Sequence, residues 1–268
     1  MKDMELRFTG SVPGKYDELM VPLLFQPYAD ELASRARAFE PRRILETAAG
    51  TGVVTEALVK VLPQAELTAT DLNPPMLDVA KRRVSSQNVR FIPADAQELS
   101  FGNGCFDLVV CQFGAMFFPD KVRAHSEALR VLDDRGHYLL ATWNAIERNP
   151  LSAIAQRVLI DHFPENPPMF MSEGPFGYHD TARIESDLHE AGFDTVEIET
   201  VELSSRSSSS REAAAALCYG TPMGTEIDGR EPGHLEEIFA ELEKAFHQFE
   251  GPEGLAAPMS AHVVIATR

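Results

Sequence analysis

From Arg42 onward the chain alternates between short apolar runs that close on polar residues and longer stretches whose apolar residues recur every three or four positions. That is the alternation of strand and helix expected of a parallel sheet with helices on both faces. The short runs place strands at about 43–47, 66–71, 89–92, 106–111 and 137–143, and the longer stretches place helices at about 53–62, from Pro74 or Pro75 through Val84, and at about 119–132. Phe106 to Cys111 is almost continuously apolar, as a strand in the middle of a parallel sheet should be. Between the third and fourth strands the helix shrinks to a turn, because Phe101-Gly102-Asn103-Gly104 arrives within a few residues, and Asp133 to Gly136 reads as the turn before strand five.

After Trp143 the alternation breaks. Residues 144–178 hold a helix at about 150–162 followed by Pro164, Pro167, Pro168 and Pro175, the composition of a lid-like insertion lying over one edge of the sheet. Asp180 can cap a helix running to Ala191, with Gly192 in the usual stop position. Phe193 to Leu203 reads as a sixth strand, Ser204 to Ser210 as a linker or exposed loop, 211–219 and 235–249 as two helices, and Ser260 to Thr267 as a last strand. Ahead of the first strand, residues 1–14 read as loosely held, and Tyr16 to Phe39 as a short helix and a longer one separated by Pro22 and Pro27. The whole, 1–268, is expected to be one domain with an N-terminal helical cover (1–41), a core (42–143), and insertions at 144–178 and 204–257 on one side.

Charge narrows the partners. With 41 acidic against 24 basic side chains the net charge is −17, which repels a phosphate backbone, so nucleic acid is not expected. Cys105, Cys111 and Cys218 are an odd number without C-x-x-C spacing, which suggests neither a disulfide framework nor a metal centre and fits a reducing, cytoplasmic setting. No apolar run approaches the roughly 18 residues of a membrane span. Oligomeric state leaves no mark in the pattern.

The candidate chemistry starts at Arg42 to Gly52, where a strand closing on Glu46 turns through small residues into a helix opening near Val53. Small residues let the backbone approach a ligand, and the helix start points free N–H groups at it. A dinucleotide site asks for G-x-G-x-x-G; Gly50 and Gly52 are present, but Thr55 stands in the third glycine's place and Glu46 would face pyrophosphate charge. A cationic ligand suits an acid at this position.

Leu45 to Gly52 resembles the first motif of class I S-adenosylmethionine-dependent methyltransferases, with Glu46 for the usual Asp and Ala48 for the first glycine, which leaves less space for the cofactor's amino-acid end. The resemblance continues in order through Asp71 at the end of strand two, Asp95-Ala96 after strand three, Phe106 to Gln112 at strand four, and Leu129 to Leu132 with Gly136 before strand five. It is nearest to the group that includes ubiquinone and menaquinone biosynthesis methyltransferases. It implies a Rossmann-like α/β fold: a seven-stranded, mostly parallel sheet with helices on both faces, the last strand antiparallel, and helical lid insertions. It further implies S-adenosylmethionine as cofactor, held by Glu46, Ala48, Gly50 and Gly52, with Asp71 on the ribose hydroxyls, Leu72 and Met76 flanking adenine, Asp95 and Ala96 at its amino group, and Cys111 and Gln112 at the end of strand four. The activity implied is in-line methyl transfer to a small-molecule acceptor.

Tyr16, Phe25, Phe113, Phe117 and Trp143 give the substrate side an aromatic cast and suit a small, partly apolar or aromatic acceptor. The end of strand four carries no N-P-P-[YF], which speaks against methylation of exocyclic amines of adenine or of side-chain amides. None of the eight histidines is singled out as a base, so no catalytic residue is named. The alternative reading is a non-catalytic S-adenosylmethionine-binding sensor or a pseudoenzyme subunit.

Overall fold

The computed structural model describes residues 12–268, so the expectation of a loosely held N-terminus falls largely outside the described residues. A single sheet organises the rest. Its strands are β1 (Arg43–Glu46), β2 (Glu66–Asp71), β3 (Val89–Pro93), β4 (Phe106–Gln112), β5 (Leu132–Trp143), β6 (Thr195–Ser207), the two-residue β7 (Glu250–Gly251) and β8 (Gly254–Thr267). They lie in the order β3-β2-β1-β4-β5-β8-β6, with β7 paired to β8 alone. Neighbours among β1 to β5 run parallel, and β8 runs antiparallel to β5, β6 and β7. The expected Rossmann-like sheet with an antiparallel last strand is therefore present, and β7 is a small addition to it.

β1 has β2 on one side and β4 on the other, so the chain reverses its direction of travel across the sheet at that point. Ligand crevices in open α/β sheets form there, beyond the carboxyl ends of the strands. Ile44, Leu45, Leu108, Val109, Val110 and Cys111 are all inaccessible to solvent, because both faces of the central strands are covered, which is why their sequence shows no polar alternation.

The helices are α1 (Val12–Lys15), which runs through a π-helical segment (Tyr16–Phe25) into α2 (Gln26–Ala38), then α3 (Val53–Val61), α4 (Pro74–Arg83), α5 (Lys121–Val131), α6 (Pro150–His162), α7 (Phe170–Glu173), α8 (Thr181–Glu190), α9 (Ser210–Tyr219), α10 (Met223–Arg230) and α11 (Leu235–Phe246). Asp120 and Asp180 cap α5 and α8, accepting from the N–H groups of Arg123 and Ala182. The expected break at Pro22 does not occur. Pro22 lies inside the π-helical segment, where each N–H reaches back five residues instead of four, and the helix runs on through it into α2.

Three further expectations are corrected. Residues 133–136 are not a turn but an irregular stretch of β5: from the pair Phe106 and Leu132 to the pair Leu108 and His137, two positions of β4 face five of β5. The serine tract is not a loop. Ser204 to Ser207 finish β6 opposite Pro258 to Leu255, and Ser205 is buried with its hydroxyl donating to the Ala257 carbonyl at 3.0 Å. Ser209 then caps α9 by accepting the Glu212 N–H, while the Glu212 carboxylate accepts the Ser208 N–H and hydroxyl, two donors satisfied from the third helical position much as in a capping box. The segment 204–257 thus begins in β6 and ends in β8, and it contains α10, which the pattern did not suggest. Helix α11 ends at Phe246 and is followed by a tighter turn at His247–Phe249.

Candidate functional site

A cavity of about 250 Å³ opens beyond the carboxyl ends of β1, β2 and β4. Its floor comes from the segments that follow those strands: Ala48 and Gly50 after β1, Asp71, Leu72 and Asn73 where β2 ends, Met76 in the first turn of α4, Asp95 and Ala96 after β3, and Gln112 at the end of β4.

Asp71 is the best-placed polar group of this floor. Its two carboxylate oxygens each accept one backbone N–H, from Gly50 and from Asn73, both at 2.8 Å. Burial raises its pKa above the ordinary carboxylate value, and these two bonds oppose the rise. A carboxylate oxygen has a second acceptor site, so each oxygen retains capacity for a ligand hydroxyl. Asp95 is fixed differently. It accepts from the backbone N–H of Gln97 at 2.8 Å and from its side-chain amide, and the Gln97 amide oxygen in turn takes the N–H of Asp120 at the start of α5. No Lys, Arg or His is among the described residues lining the cavity, so its two carboxylates favour a cationic guest over a phosphate.

Ala48 lies in the left-handed region at φ +53°, where a residue with a Cβ is held at some cost in backbone energy. The crowding expected from its methyl group is relieved across the cleft. A Cβ on Gly114 would come within 2.4 Å of the Ala48 Cβ, so the absence of a side chain at 114 makes room for the one at 48. Phe113 is also left-handed, at φ +52°. That turn ends β4, and the Phe113 ring stacks on Trp143 with centroids 3.9 Å apart and planes 4° from parallel.

The roof is aromatic and comes from distant parts of the chain: Tyr16, Met20 and Phe25 from the N-terminal helix, Phe117 and Phe118 after β4, Trp143 from β5, Phe170 and Pro175 around α7, and Thr221 and Pro222 from the turn before α10. Burial and the nearby Asp71 charge push the Tyr16 hydroxyl far above its ordinary pKa, so it stays protonated.

Of the residues singled out from sequence, Ala48, Gly50, Asp71, Leu72, Met76, Asp95, Ala96, Gln112, Tyr16, Phe25, Phe113, Phe117 and Trp143 line this one cavity, whereas Glu46, Gly52 and Cys111 do not. Glu46 turns away beneath the loop, where its carboxyl accepts the Thr55 hydroxyl at 2.5 Å, and its carbonyl accepts from Thr70. Burial raises its pKa to about 8. The residue that spoils the dinucleotide pattern, Thr55, is thus the one that secures Glu46. Gly52, at φ +84°, is needed for packing: a Cβ there would lie 2.9 Å from the Cβ of Ala80 in α4. Cys111 is fully enclosed and its thiol is pushed up to about 11 by burial. Gln97 and Asn73 adjoin residues that pattern reading had marked, and Gly114 betrayed itself as a small residue beside Phe113. Thr221 and Pro222 carried no local signal.

The histidines on or beside the substrate-side segments lie outside the cavity lining. His137 stacks on Phe39, His179 bonds to the Phe176 carbonyl, and His162 joins His234 and Glu241. Among the described residues no helix is long and apolar enough to cross a membrane.

Comparison with known proteins places this geometry. Residues 44–136 match the methyltransferase domain family. Over 110 residues the chain is 36% identical to a demethylmenaquinone methyltransferase of Deinococcus radiodurans, a match covering 40% of this chain and 46% of that protein. It is 30% identical over 152 residues to a ubiquinone/menaquinone biosynthesis C-methyltransferase of Coxiella burnetii, covering 54% of this chain and 61% of that one. The chain therefore spans roughly half the length of these curated relatives. The fold matches that of a phosphoethanolamine N-methyltransferase of Haemonchus contortus in complex with S-adenosyl-L-methionine, with a TM-score of 0.56, 17% identity, and coverage of 89% of this chain and 52% of that one. Fold likeness alone does not fix chemistry. The sequence match does more, because residues 44–136 run through the very strands that carry Gly50, Asp71 and Asp95, and over that stretch the chain is similar to S-adenosylmethionine-dependent methyltransferases of class I.

Proposed function

We propose that this protein transfers a methyl group to a small, flat, partly apolar or aromatic molecule, with the cofactor on the floor of the cavity and the acceptor under its roof. The observation that carries the reading is the division of one cavity into a floor with two carboxylates and no cation and a roof of stacked rings. S-adenosylmethionine would supply the methyl group from its sulfonium. Asp71 would accept the ribose hydroxyls, Leu72 and Met76 would flank the adenine, Asp95 and the backbone at Ala96 would meet its amino edge, and Ala48, Gly50 and Gly114 would leave room for the amino-acid end. Phe113 and Trp143 would hold the acceptor's plane, with Tyr16, Phe25 and Phe117 excluding water, so that positioning in a dry pocket supplies much of the acceleration. The relatives named for quinone biosynthesis support a quinol-like acceptor. Three free cysteines fit a reducing, cytoplasmic setting.

The absence of a histidine or lysine among the described lining residues also suits a cofactor-binding sensor. Two measurements separate the readings. Calorimetry with S-adenosylmethionine and S-adenosylhomocysteine should show binding. Methyl transfer from labelled cofactor should then appear with at least one member of a panel of quinols, phenols and aromatic amines. Binding without any transfer favours the sensor, and no binding defeats both.

A further inference from the structure

Arg83 is the last residue of α4, and its side chain is only 18% exposed. It makes three directed contacts. Nη2 meets Oδ1 of Asp17 at 2.6 Å, Nη1 meets Oε2 of Glu56 at 3.1 Å, and Nε donates to the Thr51 carbonyl at 3.2 Å. One side chain thereby ties the π-helical segment, helix α3 and the loop that carries Gly50 to one another.

The first of those contacts matters for the cavity because Asp17 follows Tyr16, which lines it. Tyr16 and Phe25 are nine positions apart, yet their rings stack at 5.1 Å. At α-helical pitch nine residues make about two and a half turns and leave two side chains on opposite faces. With about 4.4 residues per turn, a π-helix brings them round to the same face after nine. The wide segment thus aims both rings at the cavity, and the Asp17 pair fixes its beginning against the cofactor half of the molecule. The backbone atom that Arg83 holds at the same time, the Thr51 carbonyl, belongs to the loop whose Gly50 N–H is held by Asp71. Cover and loop are therefore fastened to one guanidinium.

We propose that Arg83 is a positioning residue which, through Asp17, holds Tyr16 over the cofactor end of the cavity and so sets how long the cofactor stays bound. The inference rests on the cofactor reading given above. It adds that the residence time is governed by a group that does not line the cavity.

The test is stopped-flow dissociation of S-adenosylhomocysteine from the full chain, with thermal midpoints measured in parallel. Arg83→Met and Asp17→Asn should each raise the dissociation rate constant about tenfold while association changes less than threefold. The double variant should be no faster than the faster single one, because both abolish the same ion pair, and Arg83→Lys should recover part of the loss by keeping the charge. Glu56→Gln, which leaves the Asp17 pair in place, should dissociate like the wild type. Should Arg83→Met fail to fold, Asp17→Asn decides alone. Dissociation within twofold of wild type in the folded variants overturns the proposal, as does a Glu56→Gln variant as fast as Asp17→Asn, since Arg83 would then act by bracing α3. If the wild type itself does not bind S-adenosylhomocysteine, the cofactor reading has failed and takes the proposal with it.

Discussion

The floor of the cavity is assembled from short stretches that each follow a strand, whereas its roof adds three remote segments, around residues 16–25, 170–175 and 221–222, to the rings at the ends of β4 and β5. On the floor, positions are set by directed bonds to backbone: Asp71 with Gly50 and Asn73, Asp95 with Gln97. In the roof they are set by ring packing, with Phe113 on Trp143 at 3.9 Å and Phe25 within 6.1 Å of both rings. Directed bonds discriminate by geometry and fail singly, while ring contacts are spread over many atoms and fail gradually. Substitutions in the floor should therefore strike cofactor affinity sharply. Those in the roof, apart from Tyr16 over the cofactor end, should leave it nearly intact and alter the choice of acceptor.

The largest effect is expected at Asp71. Asp71→Ala removes the proposed ribose acceptor and the partner of two N–H groups, and should weaken S-adenosylhomocysteine binding about 100-fold, or ~2.7 kcal/mol, by calorimetry. An unchanged affinity would erase the distinction between floor and roof.

Next comes Glu46, which stabilises the floor from below. Its carboxyl titrates near pH 8 in the folded chain against an ordinary 4.5. Between those values the unfolded chain loses the proton first, so stability falls as pH rises from about 4.5 to 8 and levels off above. Glu46→Gln can still accept from Thr55 and lacks this dependence. Urea unfolding should show the variant gaining on the wild type steadily across that window. Parallel curves would show that Glu46 is ionised in the fold.

A smaller loss, about 1.5 kcal/mol of stability, is expected for Gly52→Ala, because the new Cβ meets Ala80 and the backbone is left-handed. Its cofactor affinity, measured on the folded fraction, should change less than its stability does. The smallest effect belongs to the roof: Phe117→Ala should change S-adenosylhomocysteine affinity less than about threefold, ~0.7 kcal/mol, while altering the ranking of acceptors in a transfer screen. A tenfold loss of cofactor affinity there would show that the two regions are not separable.

The same contrast explains what could be read from the chain. Floor residues are local to strand ends, so an acid closing an apolar run, as at Asp71, announces both its element and its place. Local reading could not tell where a side chain turns, however. Glu46 and Cys111 stand at strand ends too, but one reaches down to Thr55 and the other is sealed under Gly114. Ser204 to Ser210 were misjudged because composition suggests a loop, while pairing with β8 imposes a strand and Glu212 completes a cap. Met223 to Arg230, with Gly224 and Gly229 in the run, has weak helical tendency of its own and is helical through its surroundings. Thr221 and Pro222 reach the cavity only because α9 packs against the N-terminal π-helical segment.

In the π-helical stretch, the number of residues matters as much as their identity. Removing one residue between Tyr16 and Phe25 would leave the two rings about 80° apart around the axis if the helix tightened to α pitch, and would carry Phe25 off the cavity with no change to either ring. Chain length in the N-terminal cover is thus a means of altering the acceptor pocket that point substitutions do not reproduce, and a comparison of related chains should look for gaps there as closely as for exchanged residues.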